Sequence, residues 1–293
     1  MTKAIVGIVG GSGIYDLPGL EEVREERADT PWGEPSAPLR IGRIGSTEAV
    51  FLPRHGPKHR LSPSTINYRA NIAAMKQAGV TDLIALSACG SYRAELYPGL
   101  FVLVDQFVDR THARQSSFFG DGLVAHVSMA HPVAPRLVER IAEAAKSQDI
   151  AYARGGTYVC IEGPQFSSRA ESLTYKSLGY DVVGMTSMPE AKLAREAEIA
   201  YASVAMITDY DCWHEEHGPV DVAAVLKVLS DNAHRAQAII GRLLRDFPQE
   251  REACPVGSDH ALDHALITPP EARDPELVKK LGAIASRVLH PTT

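Results

Sequence analysis

Short apolar runs that alternate with helical patterns constrain the fold of this chain more than any other feature of its sequence. Residues 4–9, 83–86 and 202–207 are apolar or small and too short to be helices. Such runs are typical of strands that are buried on both faces of a sheet. Because helical patterns separate them, the sequence predicts a single α/β domain. Its central sheet is expected to be twisted, mixed and mostly parallel, with helices on both faces.

Composition narrows the possible function classes. The chain has 293 residues, which suits one large α/β domain or two small ones. A net charge of -6, without long clusters of lysine and arginine, argues against a nucleic-acid-binding surface. No run of about 18 apolar residues occurs, and residues 4–9 are too short for a signal peptide. The simplest expectation is a cytoplasmic protein without a membrane span.

The cysteines and histidines give no sign of a metal site. Cys89, Cys160, Cys212 and Cys254 are widely spaced and form no CxxC motif, which weakens a zinc or thioredoxin-like interpretation. No HExxH motif occurs, so no metal site is predicted. Cys89 and Cys160 each end an apolar run and are expected to be buried thiols.

Two carboxylates, Asp209 and Asp211, follow the apolar run 202–207. Open α/β sheets bind their ligands at the carboxyl ends of the strands, so this position favours a role in a site. Two neighbouring acids cannot both ionise cheaply. We therefore expect one pKa to be raised, which would let that group act as an acid near neutral pH. An Asp-rich loop that caps the next helix is the alternative, and the motif alone leaves both open.

Four further strand ends carry groups that can hold an oxyanion. A glycine-rich turn with a serine follows residues 4–9, but it matches neither GxGxxG nor a P-loop. An Arg-His pair ends the run 49–52, and hydroxyls follow two more strands; an arginine fork suits phosphate. The residues are Ser12, Arg54, His55, Ser87, Ala88 and Thr186. Each alone also fits a tight turn, a surface arginine beside a buried histidine, or a helix cap, but together they predict one oxyanion site that shares a cleft with the Asp pair.

The order of these motifs resembles the purine nucleoside phosphorylase family, in its trimeric class, and within it the 5′-methylthioadenosine phosphorylases. The resemblance covers about residues 5–244. The matching segments are 10–15 (GGSGIY), 29–33 (DTPWG), 54–56 (RHG), 67–71 (NYRAN), 87–91 (SACGS), 105–111 (DQFVDRT), 162–171 (EGPQFSSRAE), 184–186 (GMT) and the motif at Asp209. So many long matches in the same order make the resemblance highly specific.

The resemblance implies a phosphorylase/hydrolase-like fold. Residues 1–247 would form the phosphorylase domain. Residues 248–293 would form a C-terminal extension, whose helix packs on the domain or on a neighbouring subunit. The family further implies a homotrimer that needs no cofactor, with inorganic phosphate as a co-substrate.

The family's functional positions carry over one at a time. Its phosphate-binding positions match Ser12, Arg54, His55, Ser87, Ala88 and Thr186. Met185 matches a residue whose backbone amide contacts the ribose, and Phe166 matches an aromatic ring that packs on the base. Ser167 and Val222 match positions linked to substrate choice.

The Asp pair matches the base-recognition residues of the family. By this resemblance Asp209 would be the catalytic residue, a general acid that gives or shares a proton with purine N7. Asp211 would accept a hydrogen bond from the 6-amino group, which predicts a preference for 6-aminopurines over 6-oxopurines.

The implied activity is phosphorolysis of S-methyl-5′-thioadenosine to adenine and 5-methylthioribose 1-phosphate, a pentosyl transfer that salvages purine and methionine. Three alternatives remain: an adenosine or 5′-deoxyadenosine phosphorylase, a phosphate-independent nucleosidase, and a non-catalytic nucleoside-binding module. The preference at the 5′ position also stays open. Val222 favours an apolar 5′ group, whereas His290 near the C-terminus could lie beside that group or face water.

Overall fold

The apolar runs predicted as strands lie at the centre of one mixed sheet. The computed structural model describes residues 2–11, 17–215 and 222–290. In this part of the chain the strands are β1 (Val6–Gly10), β2 (Glu21–Glu26), β3 (Leu39–Ile44), β4 (Thr47–Pro53), β5 (Asp82–Ser91), β6 (Phe101–Val104), β7 (Gln106–Arg110), β8 (Tyr152–Arg154), β9 (Thr157–Ile161), β10 (Val182–Gly184) and β11 (Ala200–Asp209). The helices are α1 (Tyr68–Gln77), α2 (Pro135–Ser147), α3 (Arg169–Ser177), α4 (Ser187–Glu196), α5 (Val222–Arg245), α6 (Pro275–Lys280) and α7 (Gly282–Leu289).

The sheet branches at β5. Strands run in the order β2-β3-β4-β1-β5, and β5 then pairs with both β11 and β10. One branch continues from β11 through β6 to β8, and the other continues from β10 through β9 to β7. Most strand pairs are parallel, including β1 with β4, β1 with β5, and β5 with β11. Antiparallel pairs occur at β2–β3, β3–β4, β5–β10 and β6–β11, so the predicted mixed and mostly parallel sheet is confirmed.

Helices cover the sheet on both faces, as predicted. On one face α1, α4 and α7 contribute to a large apolar core, and on the other α2 and α5 pack together over a second core. The two central strands β5 and β11 are buried along nearly their whole length. Strands that helices cover on both sides can consist almost entirely of apolar and small residues, which explains why the sequence signal was strongest there.

Four strands were not predicted: β2, β3, β7 and β8. Strand β2 reads EEVREE, and all its residues are exposed. Among the described strands it is an edge strand that pairs with β3 alone, and its charges protect the edge from pairing with other chains. Period-two apolar alternation, which signals a half-buried strand, is therefore missing from its sequence.

Ser64, a residue type that could cap a helix running to about Ala78, does not begin α1. The helix begins at Tyr68, and the side chain of Asn67 caps it by accepting a hydrogen bond of 3.1 Å from the N–H of Ala70. Ser64 instead donates its hydroxyl hydrogen bond to the carboxylate of Glu162. Serine and asparagine are both good helix caps, so the local sequence does not show where α1 begins. The contact of Ser64 with the distant Glu162 leaves the capping position to Asn67.

The C-terminal segment forms two helices where one was predicted over residues 275–289. Helix α6 ends before Leu281, and α7 begins directly after it. Leu281, Ile284 and Ala285 are buried in the same core as α1, while His290 is exposed in the single chain. This segment thus packs on its own domain. The division at residue 247 stays a prediction. Asp221, a residue type that suits the cap of α5, lies outside the described residues.

The described helices give no candidate for a membrane span, because none is long and apolar enough. Cys89 and Cys160 are buried, as predicted, and burial raises the pKa of each thiol to about 12.

Candidate active site

A cavity of about 520 Å³ lies at the edge of the sheet where several strands end. Strands β1, β4, β5 and β11 run parallel, so their carboxyl ends meet at this edge. Every predicted site residue that the structure describes lines the cavity, although they come from distant parts of the chain. These residues are Arg54, His55, Ser87, Ala88, Phe166, Ser167, Met185, Thr186, Asp209, Asp211 and Val222. Ser12 lies outside the described residues, although its neighbour Gly11 lines the same cavity.

Hydroxyl groups converge on one wall of the cavity. The Oγ atom of Ser87 lies 3.2 Å from Oγ1 of Thr186 and 3.3 Å from the hydroxyl of Tyr158. Ser87 is on β5, and Thr186 follows β10, which pairs with the end of β5. The pairing of two strands thus brings together hydroxyls 99 positions apart in sequence. This wall offers hydrogen-bond donors to an oxyanion.

Arg54 reaches the same cavity from the end of β4, with a side chain that is almost completely buried. Its Nε and Nη2 atoms donate to the two carboxylate oxygens of Glu190, at 2.8 and 3.0 Å. Burial alone would lower the pKa of Arg54, but the charge of Glu190 outweighs burial and holds that pKa above its ordinary value. The guanidinium is therefore charged, paired and fixed in direction.

His55 lies beside Arg54 and stacks on His59. The two ring centroids are 3.9 Å apart, and the ring planes differ by 12°. Nδ1 of His55 lies 2.9 Å from the carbonyl oxygen of Leu61, which can only accept, so Nδ1 carries a proton. Burial lowers the pKa of His55 to about 4, so the ring is neutral near pH 7 and its Nε2 is an acceptor.

His59 also lines the cavity, and sequence reasoning missed it. Its separation from His55 is an HxxxH spacing, which can hold a metal on a helix. Here both residues lie around a 3-10 turn, and their rings stack face to face. Within residues 2–11, 17–215 and 222–290, no group of three or more His, Cys, Asp or Glu side chains could hold a metal ion.

The Asp pair lies at the end of β11, as the sequence indicated. Both carboxylate oxygens of Asp209 accept hydrogen bonds, one of 2.7 Å from the hydroxyl of Thr208 and one of 2.8 Å from the N–H of Asp211. Asp211 has a positive φ of 51°, and this turn directs its backbone toward Asp209. The two acids therefore have different surroundings although only one residue separates them.

Asp211 is the member of the pair whose pKa is raised, chiefly by burial and further by the charge of Asp209. Only 4% of the residue is exposed, and the hydroxyls of Ser172 and Tyr92 offset part of the rise in its pKa by hydrogen bonding, although Oδ2 makes no well-formed bond among the described residues. The hydroxyl of Ser167, which also lines the cavity, is likewise buried without a partner in this part of the chain. Unpaired buried polar atoms are rare in folded proteins, so these two favour a polar ligand that supplies the missing bonds.

An apolar wall completes the cavity. One face of α5 contributes Val222, Val225, Leu226 and Leu229, and Met206 lies on β11. Such a surface suits an alkyl or thioether group better than a hydroxyl, because these five side chains carry no hydroxyl, amide or charged group. Phe166 lines the cavity while 46% exposed, which leaves part of its ring free to pack on a flat ligand.

The sheet and this cavity define an enzyme of the nucleoside phosphorylase type: hydroxyls, an arginine and a histidine share one pocket with a carboxylate pair and an apolar wall. Comparison with known proteins agrees. The chain belongs to the phosphorylase superfamily, whose family model matches residues 5–245.

Similar proteins cover almost the whole chain. A relative from Bradyrhizobium diazoefficiens, named S-methyl-5′-thioadenosine phosphorylase, is 68% identical over 289 residues, which cover 99% of this chain and 99% of the relative. A crystal structure of methylthioadenosine phosphorylase sourced from an antarctic soil metagenomic library has a TM-score of 0.90 and 44% identity, covering 97% of this chain and 99% of that one. A mutant of adenosine/methylthioadenosine phosphorylase from Schistosoma mansoni in complex with adenine has a TM-score of 0.79 and 38% identity, covering 83% and 91%.

Proposed function

We propose that this chain catalyses the phosphorolysis of S-methyl-5′-thioadenosine to adenine and 5-methylthioribose 1-phosphate. One observation carries the proposal: a single cavity holds an oxyanion-binding set, a carboxylate pair and an apolar wall. These three parts match the three parts of the reaction, which are phosphate, purine and the methylthio group. The names of the similar proteins support the same activity.

Phosphate would bind at Arg54 and the hydroxyl wall, beside the neutral ring of His55, and attack the anomeric carbon of the nucleoside. The bond from this carbon to purine N9 breaks as the new carbon–oxygen bond forms, through a transition state with oxocarbenium character. Negative charge then develops on the purine. Asp209 lines the cavity and would give or share a proton with N7, which typically contributes ~10²–10⁴-fold to the rate. Inorganic phosphate is thus a co-substrate, and the proposal includes no cofactor.

Asp211 would recognise the purine base by a hydrogen bond. Its unpartnered Oδ2 can accept a hydrogen bond from an exocyclic 6-amino group. A 6-oxo group offers only an acceptor, so it would leave two acceptors facing each other without a proton between them. The proposed preference is therefore for adenine nucleosides.

The decisive experiment measures release of adenine from S-methyl-5′-thioadenosine with and without inorganic orthophosphate. We expect release that depends on phosphate and yields a sugar 1-phosphate in equal amount. Release at the same rate without phosphate would indicate a nucleosidase. Binding of the nucleoside without release of adenine would indicate a non-catalytic binding module.

Adenosine phosphorolysis is the second candidate, and the double name of the Schistosoma mansoni neighbour favours considering it. The apolar wall of α5 argues for the methylthio substrate, because a 5′-hydroxyl would find no partner on that surface. The kcat/KM values for methylthioadenosine, adenosine and 5′-deoxyadenosine separate the candidates. A higher value for adenosine than for methylthioadenosine would contradict the proposal.

Two properties of the family extend the proposal. We infer a homotrimer, because segments 105–111 and 131–132 resemble family segments near subunit contacts. We also infer a cytoplasmic location. Light scattering at several concentrations tests the first, since a monomer or dimer at micromolar concentration would contradict it, and cell fractionation tests the second.

A further inference from the structure

Glu190 lies directly behind the proposed phosphate site. Only 2% of it is exposed, and it is not among the residues that line the cavity. We infer that Glu190 is a positioning residue for phosphate: it holds Arg54 by two hydrogen bonds and directs the remaining N–H groups of the guanidinium at the anion. The inference rests on the proposed function, because it assigns a role within the phosphate site.

Arg54 keeps two N–H groups that can bind a ligand. A guanidinium has five N–H groups, one on Nε and two on each terminal nitrogen. Glu190 takes the Nε group and one group of Nη2, and the carbonyl oxygen of Leu86 takes one group of Nη1 at 3.2 Å. One N–H on each terminal nitrogen remains. Two donors on neighbouring atoms can bind two oxygens of one phosphate.

Glu190 is itself fixed from two sides. Helix α4, which carries it, begins directly after Thr186, so one short segment supplies both a hydroxyl of the oxyanion wall and the partner of Arg54. The hydroxyl of Tyr201, on the buried strand β11, donates a hydrogen bond of 3.0 Å to Oε1 of Glu190. Tyr201 is 1% exposed, so this contact is shielded from water. A carboxylate held in this way fixes the angle of the guanidinium, which a lone arginine could change freely.

The opposite charges of Arg54 and Glu190 also affect how the anion is bound. Arg54 and Glu190 form a buried pair whose charges cancel, so the anion is bound by directed hydrogen bonds more than by net positive charge. Removing one partner of such a pair leaves a buried charge uncompensated, whereas replacing both partners avoids this cost. This difference makes two kinds of variant informative.

The first test is Glu190→Asp, which keeps the charge and shortens the side chain by one methylene. Arg54 would lose one of its two bonds and turn. We expect KM for phosphate to rise by roughly 10-fold or more, with KM for the nucleoside unchanged within about 2-fold, because misplacement of a binding group by ~1 Å is costly. The matched control is Glu196→Asp, a buried glutamate on the same helix that contacts Ser117 and Phe118 and should leave both KM values unchanged.

The second test compares Arg54→Gln with the double variant Arg54→Gln/Glu190→Gln. If Glu190 acts only through Arg54, the double variant loses no more kcat/KM for phosphate than Arg54→Gln alone. The double variant has no uncompensated charge, so it decides the question if Glu190→Asp fails to fold.

Three outcomes would overturn the inference: KM values that rise equally for both substrates in Glu190→Asp, a KM for phosphate that does not change, or a double variant that loses more kcat/KM for phosphate than Arg54→Gln alone. The wild-type enzyme separates this inference from the proposed function. If its adenine release does not depend on phosphate, the proposed function itself fails. If that release depends on phosphate and the variants behave as in any of the three outcomes, only the role of Glu190 fails.

Discussion

The backbone N–H of Asp211 donates a hydrogen bond of 2.8 Å to Oδ1 of Asp209. With the hydroxyl of Thr208 on Oδ2, both oxygens of Asp209 are held in place by the protein. Oδ2 of Asp211 has no comparably well-formed bond in the described residues, although the hydroxyls of Ser172 and Tyr92 lie near this carboxylate. The pair is therefore not two equivalent carboxylates: one is fixed by its neighbours, and the other keeps an acceptor for a ligand. The raised pKa falls on Asp211, so the proton-donor role of Asp209 rests on the family resemblance and on its place in the cavity.

Replacing Asp209 by asparagine tests the proton-donor role. The variant Asp209→Asn keeps the shape of the side chain but has no carboxyl proton to give. We expect kcat for phosphorolysis to fall by about 10²-fold or more, with a smaller change in KM, because the proton is needed only as the purine leaves. Steady-state kinetics with S-methyl-5′-thioadenosine give both values, and a melting curve checks the fold. A variant with wild-type kcat would remove Asp209 from the mechanism.

Replacing Asp211 by asparagine tests recognition of the base. The amide of Asp211→Asn can donate to a 6-oxo group, which the carboxylate cannot. We expect the ratio of kcat/KM for methylthioadenosine to that for methylthioinosine to fall by roughly 10²-fold, because pairing of buried polar groups gives strong discrimination. Kinetics with both nucleosides measure the ratio. If both values fall equally, Asp211 does not select the base.

The sequence predicted the parts of this molecule that depend on local patterns. Buried strands are apolar, and the groups at the carboxyl ends of parallel strands lie at one edge of the sheet, so the oxyanion-binding residues and the Asp pair could be singled out from strand ends. The family resemblance alone indicated Phe166, Ser167, Met185 and Val222. The edge strand β2 could not be found this way, because its residues are charged and exposed. Its strand conformation comes from pairing with β3, which no local pattern records.

Glu190 shows the same limit within the site. Nothing around it marks a special residue, and its partner Arg54 is 136 positions away. A weak signal existed: Glu190 lies among the apolar residues Ala191, Leu193 and Ala194, which indicates a buried helix face. A glutamate on such a face needs a partner. The sequence could have shown that Glu190 is buried, but only the fold shows which cation it pairs with.

A substitution of Gly184 tests how closely β10 packs against the hydroxyl wall of the cavity. A Cβ atom at this position would lie 1.9 Å from the hydroxyl of Tyr158, whose ring is completely buried and cannot move aside. We expect Gly184→Ala to lower Tm strongly, by overpacking of about 1–3 kcal/mol or more, and to disturb phosphate binding through Thr186. Gly241→Ala is the matched control, because, apart from the adjoining backbone of helix α5, no atom of the described residues lies within 4 Å of its new Cβ.

The control should change stability in the opposite direction. Alanine is favoured over glycine inside a helix, so Gly241→Ala should stabilise by up to about 1 kcal/mol and leave activity unchanged. Thermal melting curves of both variants, recorded with and without phosphate, measure these changes in stability. A Gly184→Ala protein as stable as the wild type would mean that β10 and Tyr158 are not in contact as described.

Glu196 should make stability depend on pH. It is only 6% exposed, and it accepts hydrogen bonds of 2.7 Å from the hydroxyl of Ser117 and the N–H of Phe118. Burial outweighs these bonds and raises the pKa of Glu196 to about 7. Because this folded-state pKa lies above the ordinary value of 4.5, the unfolded chain releases its proton first as pH rises. The stability from Glu196 is therefore fully present below pH 4.5 and is lost by about pH 7.

The variant Glu196→Gln removes this titration and can keep both contacts. Its carbonyl can accept from Phe118, and its amide can donate to the oxygen of Ser117. We expect the variant and the wild type to melt at similar temperatures near pH 4, and the variant to gain stability up to pH 7, by roughly 3 kcal/mol at most. Melting curves between pH 4 and 8 measure the difference. A difference that stays constant over this range would show that Glu196 remains ionised in the folded protein, with Arg69 and Lys192 near enough to hold its charge.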